Sequence, residues 1–188
     1  MATTRENKTI SQFKSQLIGG GARPNLFEVE LTTLPAGIAW PADNFRYMCK
    51  AAQLPESTIA NIDIPFRGRI FKVAGDRTIE PWSITVINDE DFRIRKAMEE
   101  WVDRIAKLEN NLGATDPSAY MVNAKVFQLG RGATVSSSTN AGDRNAVLRE
   151  YEFIDIFPTS VSSIDLSYDS SDTIEEFTVD FQVQSFSF

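Results

Sequence analysis

The 188-residue chain contains 42% hydrophobic residues, enough to build one folded domain around a core. Its formal net charge of −7 argues against a surface built to grip nucleic-acid phosphates, because such surfaces concentrate lysine and arginine. The chain contains no histidine, which excludes Ser-His-Asp and Cys-His nucleophile systems and most zinc sites.

The beginning of the chain predicts an N-terminal arm over residues 1–24. Its polar start, with no long apolar region after it, predicts no secretory signal. No apolar run in the chain approaches the roughly 18–20 residues of a membrane helix. Ile10, Phe13 and Leu17 have helix-like spacing, and the Gly19–Gly21 run after them predicts a hinge, because glycine loses much backbone entropy in a packed element. We expect the arm to be either disordered or ordered by a neighbouring subunit.

Residues 25–188 are predicted to form one β-domain, because apolar and polar residues alternate along much of this part of the chain. The clearest alternation is in the last strand, from Phe177 onward. At Ser185 the phase slips, so that Phe186 and Phe188 fall on the formerly polar side. A bulge would explain this slip, and so would a terminus packed against a partner subunit. The predicted strands span residues 26–31, 45–54, 58–64, 69–73, 78–88, 119–129, 147–157, 163–168 and 177–184.

Glycine, proline and short polar residues predict the turns and loops between these strands. Tight turns are predicted at residues 65–68, 74–77 and 169–172. Longer loops are predicted at residues 34–43 and 130–145.

One amphipathic helix is predicted over residues 89–110, with Asn88 as its N-cap. Apolar residues recur there at intervals of three and four, which places them on one stripe that packs on a sheet. The stripe consists of Ile94, Ala97, Met98, Trp101, Ile105 and Leu108. Together these patterns predict a mainly β fold, an antiparallel β-sandwich or barrel with one α-helix.

No group of residues has the spacing of a catalytic, metal or cofactor site. Asp165, Asp169 and Asp172 lack the central glycine and terminal glutamate of a calcium loop, so a turn-forming role is predicted for them. The single cysteine, Cys49, lies in a predicted strand, which favours a small buried side chain over a nucleophile. It cannot form an internal disulfide, which fits a reducing cytosol. We therefore expect no catalytic residue, no metal ligand and no cofactor.

Five short segments occur in a specific order along most of the chain. They are residues 22–30 (ARPNLFEVE), 71–78 (FKVAGDRT), 82–90 (WSITVINDE), 157–161 (FPTSV) and 174–179 (IEEFTV). In their order and spacing they resemble the tail tube proteins of contractile-tailed, T-even-type bacteriophages.

The resemblance implies a fold shared with the inner-tube protein of type VI secretion. It implies hexameric rings joined strand edge to strand edge, and rings stacked into a tube through which DNA passes without specific binding. The implied partners are further copies of this chain, the tail sheath protein, the baseplate or tube-initiator protein and the tail terminator protein. The implied location is the virion tail, after assembly in the host cytoplasm.

Subunit contacts are predicted at a turn, at the arm and at the C-terminal strand. The candidate ring-to-ring contacts are Phe66, Arg67, Gly68 and Arg69 in the turn, with Phe13 and Leu17 in the arm. The candidate subunit-contact terminus contains Phe186 and Phe188. The arm and the loops at 34–43 and 130–145 are longer than the family pattern, so family contacts are not transferred to them.

Three alternatives stay open on the sequence. The chain could be a tube-initiating or baseplate-proximal relative, or the inner tube of a phage-derived injection particle; a neighbouring tail sheath gene would favour the main tube. It could be an acidic β-sandwich binding module that acts as a monomer, which electron microscopy would distinguish from rings. An enzyme has no supporting feature in the sequence.

Overall fold

The structure, a computed structural model, describes residues 9–17, 20–31, 33–110, 112–131 and 146–188. Within these ranges the helices are α1 (Ile10–Gln16), α2 (Ala42–Met48), α3 (Arg93–Ile105) and a short 3₁₀ helix (Pro117–Ala119). The strands are β1 (Phe27–Glu30), β2 (Cys49–Ala52), β3 (Ser57–Phe66), β4 (Arg69–Ile79), β5 (Trp82–Ile87), β6 (Val122–Leu129), β7 (Val147–Val161), β8 (Glu176–Gln182) and β9 (Ser185–Ser187). No helix in the described ranges has the length and apolarity needed to cross a membrane.

Seven strands form the main sheet, and two form a separate hairpin. The main sheet has the order β1-β6-β7-β8-β5-β2, with β9 also paired to β7, and the hairpin is β3-β4. The pairs β2–β5, β5–β8, β7–β8 and β7–β9 are antiparallel. The predicted mainly β, antiparallel fold class is therefore confirmed, although α1 and α2 accompany the one predicted helix.

The described residues divide into two compact units. One contains described residues within 1–27 and 127–150, and the other those within 28–126 and 151–188. In the first, the Leu129 amide donates to the Leu26 carbonyl at 2.9 Å, and the Gly130 amide donates to the Ala146 carbonyl at 2.8 Å. The predicted boundary between the arm and the β-domain at residue 24 stays a prediction.

The core of the larger unit is built from aromatic rings between α3 and the sheet. Trp101 on α3 is fully buried and lies 5.8 Å from the ring of Phe181 on β8. Trp82 on β5 stacks on Phe153 of β7 at 4.4 Å and lies 5.4 Å from Phe181. Burying large aromatic side chains is the main source of stability in a domain of this size. The predicted apolar stripe therefore faces the core at Ile94, Ala97, Met98 and Trp101. The stripe was predicted one turn too long, because Leu108 lies after the end of α3 and is exposed.

A kink in the longest strand explains the predicted phase slip near the C-terminus. Asp155 in β7 has φ of 54°, a left-handed conformation that aspartate tolerates better than most residues. On one side of this kink Phe157 pairs with Gln182, and on the other Ile154 pairs with Ser185. Between these two pairs, each of the paired segments contains the same number of residues, three steps along the chain. Strand β9 therefore continues β8 along β7 in the same register. The phase slip at Ser185 is therefore matched by one in β7, where Phe153 and Ile156 are both buried although they are three residues apart.

Helix α2 corrects the strand predicted at residues 45–54. Phe45 and Cys49 are buried while Tyr47 is exposed, which is the i, i+4 pattern of a helix and not strand alternation. The Phe45 ring packs against Trp40 at 4.9 Å. The strand begins only at Cys49. The prediction was wrong because the apolar residues between 45 and 49 fit both helix and strand periodicity over so short a run.

Helix α3 is shorter than the predicted span of residues 89–110, and Asn88 is not its N-cap. Phe92 occupies that position in a left-handed conformation without a side-chain cap. Asn88 is buried and instead donates two hydrogen bonds to Glu175. Its backbone N–H donates to the Glu175 carbonyl at 2.9 Å, and its side-chain nitrogen donates to the Glu175 carboxylate at 2.9 Å. At the other end the chain turns back after Ala106, where the Ala114 amide donates to the Arg104 carbonyl at 3.0 Å.

Other predicted boundaries also change. The turn predicted at 74–77 lies inside β4, where one extra residue forms a bulge between the Ile59 and Asn61 pairings. Gly75 permits this bulge, because a Cβ there would lie 3.2 Å from the Ala60 carbonyl oxygen. The strand predicted at 163–168 is irregular, and β7 runs on through Pro158 to Val161. Within the predicted loop at 130–145, residues 132–145 lie outside the described residues.

Candidate assembly surfaces

The β3–β4 hairpin is a long ribbon that ends in a two-residue turn. Arg67 and Gly68 have φ values of 46° and 78°, and Phe66 pairs directly with Arg69 across the turn. Positive φ at both central residues is typical of the turns whose twist matches that of a hairpin. The predicted turn is therefore confirmed, and the structure brings together the four candidate contact residues at 66–69.

One face of this hairpin is apolar and exposed. Directly paired residues share a face, so the pairs Ile62–Val73 and Ile64–Phe71 and the side chain of Phe66 lie together. The opposite face has the pairs Asn61–Ala74, Asp63–Lys72 and Pro65–Ile70. We call the first set (Ile62, Ile64, Phe66, Phe71 and Val73) the apolar face of the hairpin. Its two aromatic residues are 66% and 64% exposed, so other described parts of the chain leave most of their surface uncovered.

The tip of the hairpin is positively charged. The Arg67 guanidinium lies 5.3 Å above the Phe66 ring, within cation–π distance. A shallow cavity of about 380 Å³ opens at this tip, and it is lined by Phe66, Arg67, Arg69, Ile70 and Phe71. Residues 64–75 contain Arg67, Arg69 and Lys72 and no acidic residue.

Helix α1 places the arm candidates Phe13 and Leu17 near one another. Thr9 caps the helix and forms a capping box with Gln12. Phe13 and Leu17 are exposed, and together with exposed Ile10 they follow the i, i+3, i+7 spacing of one helix face. The helix belongs to a different compact unit from the hairpin.

The C-terminal candidates differ in their surroundings. Phe186 pairs across the sheet with buried Phe153 and is itself half-buried. Phe188 is 75% exposed, and its ring lies 6.2 Å from that of Phe186 and 6.5 Å from that of Tyr151. Phe186 therefore packs partly within its own chain, while much of the surface of Phe188 remains accessible.

Two short strands, β1 and β2, lie at the ends of the strand order of the main sheet. Unpaired strand edges can accept a further strand, and proteins normally protect them. Arg46 of α2 pairs with both Glu28 and Glu30 of β1 at 3.1 Å each, which holds this helix against the β1 edge. Lys50 of β2 pairs with Glu176 of β8 at 2.6 Å.

Sequence reasoning missed a second exposed surface, in the connection between β7 and β8. We call residues 162–175 the acidic loop. It contains exposed Leu166, Tyr168 and Ile174 among the carboxylates of Asp165, Asp169 and Asp172. The prediction treated these acids as turn residues only. Ile164, Leu166 and Tyr168 alternate with polar residues, which predicted a strand there, but the structure has no strand at 163–168 and leaves Leu166 and Tyr168 exposed.

The described residues contain no group of three His, Cys, Asp or Glu side chains placed to hold a metal ion. Burial raises the pKa of the Cys49 thiol from 9.0 to about 12, so this thiol stays protonated even in alkaline solution where an exposed thiol would ionise. The Cys49 thiol donates weakly to the Ala51 carbonyl at 3.6 Å. As predicted, Cys49 is a small buried side chain.

Comparison with known proteins shows which family the chain resembles in sequence. A family model described as "Phage tail tube protein" matches residues 22–188. The tail tube protein gp19 of Enterobacteria phage T4 is 34% identical over 161 residues, which cover 86% of this chain and 88% of that protein. The tail tube protein of Serratia phage KSP90 is 24% identical over 177 residues, 93% of each chain.

Two solved assemblies contain chains with the same fold. A chain of the anti-feeding prophage baseplate aligns with a TM-score of 0.62 and 11% identity, over 89% of this chain and 94% of that one. A chain of the PVC extracellular contractile injection system sheath–tube complex aligns with a TM-score of 0.51 and 13% identity, over 96% and 97%. At these identities the likeness concerns the fold alone. The family match across most of the sequence and the 34% identity to a phage relative carry the assignment: the chain belongs to the phage tail tube protein family, whose role is structural.

Proposed function

We propose that this chain forms hexameric rings that stack into the inner tube of a contractile phage tail. In this proposal the tail sheath protein surrounds the tube, a baseplate or initiator protein starts it, and a terminator protein ends it. DNA passes through the lumen without specific binding. Assembly takes place in the host cytoplasm, and the finished tube is part of the virion.

The observation that carries this proposal is the exposed apolar face of the hairpin. A two-stranded hairpin by itself is marginally stable in water and usually needs packing against another element. Contiguous exposed apolar surface is typical of protein–protein contacts. Self-association would cover this face, which supports a polymer-forming role over that of a monomeric binding module.

We also propose that the chain has no catalytic activity. The sequence contains no histidine, and the thiol of its only cysteine is kept protonated by burial. Neither general-base catalysis by imidazole nor attack by an exposed thiolate is therefore open to it.

The alternative of an injection-particle tube has weaker support than a phage tail. The likeness to injection-system chains is one of fold, at 16% identity or less, whereas phage relatives reach 34%. A tail sheath gene beside this gene, together with head and baseplate genes, would agree with the phage tail. An operon without head genes would favour the injection particle.

Electron microscopy of the purified chain tests the proposed assembly. We expect sixfold rings or stacked tubes in negative stain. Replacing Ile64 and Phe71 with threonine places a residue with good strand propensity at both positions but removes apolar surface, so we expect loss of rings. Asn61→Thr with Ala74→Thr on the opposite face is the matched control and should keep them. A monodisperse monomer at every concentration tested would refute the proposal.

A further inference from the structure

The hairpin tip has a chemical character opposite to that of most of the chain. Residues 64–75 have three positive charges and no negative one, in a chain with a net charge of −7. The described residues provide no carboxylate that pairs with Arg67, Arg69 or Lys72 in a salt bridge. Phe66 and Phe71 are exposed beside these charges. The tip therefore presents both apolar and positive groups to a partner.

The acidic loop has the complementary character. Residues 162–174 contain three aspartates and no lysine or arginine. Within the described part of the chain, these carboxylates form no salt bridge, whereas Glu175 and Glu176 are bonded by Asn88 and Lys50. The loop also exposes Leu166 and Ile174, at 80% and 72%. Like the hairpin tip, it presents uncovered apolar side chains beside charges.

We propose that the hairpin tip of one copy docks on the acidic loop of a second copy. This inference rests on the proposed self-assembly and names the two surfaces that meet. The cavity of about 380 Å³ at the tip would receive an apolar or aromatic side chain of the loop, such as Leu166 or Tyr168. Arg67 and Arg69, which line this cavity, would face the loop carboxylates.

A second copy fits the hairpin tip better than a nucleic acid does. A phosphate backbone would use the arginines but would leave the apolar face in water. The acidic loop offers both opposite charge and apolar side chains. Exposed ion pairs are individually weak, so the apolar contact supplies most of the affinity while the charges select the partner and its orientation.

The contact joins two different surfaces, so it is heterologous. Each copy then offers a free hairpin to one neighbour and a free acidic loop to another. Such head-to-tail contacts generate closed rings or open stacks and not closed pairs. This geometry is the one that a polymerising tube protein needs.

Cysteine cross-linking tests the contact directly. In a Cys49→Ala background, Phe66→Cys and Leu166→Cys are prepared as separate proteins, mixed, assembled and oxidised mildly. We expect a covalent dimer in the mixture and far less in either protein alone. The control is Phe66→Cys mixed with Leu108→Cys, which should not cross-link. Leu108 is 98% exposed, so a cysteine there is accessible but lies outside the proposed contact. No dimer in a mixture that still forms rings would refute the docking and leave the proposed function standing.

Charge exchange provides an independent test. Arg67→Glu with Arg69→Glu, and separately Asp169→Arg with Asp172→Arg, should each abolish rings, because like charges then face each other. The chain with all four changes should regain them. Glu90→Arg with Glu109→Arg makes the same change in charge as Asp169→Arg with Asp172→Arg, but on exposed residues elsewhere, and should have no effect.

A hairpin or loop variant that assembles normally overturns the inference. If unmodified tubes also retain a DNA duplex that the tubes of the hairpin variant release, the tip is assigned to nucleic acid instead. An unmodified chain that never assembles refutes the proposed function and, with it, the inference.

Discussion

Each of the three tryptophans bonds its indole N–H to a backbone carbonyl elsewhere in the chain. Trp40 donates to Leu31, Trp82 to Gln53 at 2.9 Å, and Trp101 to Tyr120 at 2.7 Å. Buried indole nitrogens need such partners, because an unpaired buried donor is costly. These bonds tie the aromatic residues to segments that precede or follow the regular strands and so fix the loops around the core.

Replacing Trp101 with phenylalanine tests this role. The change leaves a cavity and an unpaired Tyr120 carbonyl, so we expect a loss of about 2–4 kcal/mol in the free energy of unfolding. Urea denaturation measures this loss. Leu108→Ala, at an exposed position, should change the free energy by less than about 0.5 kcal/mol. An equally small effect at Trp101 would contradict the prediction.

The raised pKa of Cys49 predicts a pH dependence of stability. Between pH 9 and about 12 the unfolded chain loses the thiol proton while the folded chain keeps it. The folded state then binds more protons, so stability falls as the pH rises through this window. Thermal unfolding of the native chain and of Cys49→Ala across the window measures the contribution. If both proteins lose stability in parallel, Cys49 is not its source.

At the scale of elements, the sequence predicts regular alternation well and local interruptions poorly. The hairpin turn and the last strand are confirmed, and so is the helix stripe from Ile94 to Trp101, because each has an unambiguous period. Leu108, the last residue of the predicted stripe, lies beyond the helix and is exposed. Helix α2 was missed because Phe45 to Cys49 is too short to separate the two periods. The sequence showed the kink at Asp155 only as a phase slip in the paired strand. The left-handed conformation depends on partners distant in sequence, such as Asn123, whose side chain accepts from the Asp155 amide at 3.1 Å.

The surfaces were predicted unevenly for a related reason. Residues 66–69 were identified because a turn between two strands is a local signal. The acidic loop was not, because exposure of Leu166 and Tyr168 is a tertiary property that no local pattern records. Whether Phe13, Leu17, Phe186 and Phe188 contact other copies stays a prediction.

Removing residues 1–21 tests the arm. The family match begins at residue 22, and no residue of α1 is buried. We therefore expect the shortened chain to fold with a similar melting temperature but to polymerise more slowly, because an exposed helix face is lost. Light scattering during assembly measures the rate. Polymerisation at the unchanged rate would count against a role for the arm in ring contacts.

At the scale of the whole molecule, charge determines how a tube would treat its cargo. A hexameric ring would have six times −7, or −42, formal charges. If acidic residues dominate the lumen, DNA phosphates are repelled and slide rather than bind. This distribution of charge is a hypothesis about the ring, and a solved ring with a mostly basic lumen would refute it.

The same charge predicts weak binding of DNA to assembled tubes. We expect no shift of a short duplex in gel electrophoresis at 150 mM salt, and the same result with the monomer. A basic DNA-binding protein at equal concentration is the positive control. Retention of the duplex by tubes at this salt concentration would show that positive groups, such as those of the hairpin tip, remain accessible after assembly.

The position of β8 in the main sheet has a consequence for synthesis. Among the described strands, β8 hydrogen-bonds to β7 on one side and to β5 on the other, and it is formed from residues 176–182. A ribosome has therefore translated every other strand of that strand order before the central one emerges. Without β8, the strand order divides into β1-β6-β7 and β5-β2, and neither group has a strand that joins it to the other. The main sheet can therefore close only after residues 176–182 have been made, so the two groups of strands on either side of β8 cannot join earlier in synthesis.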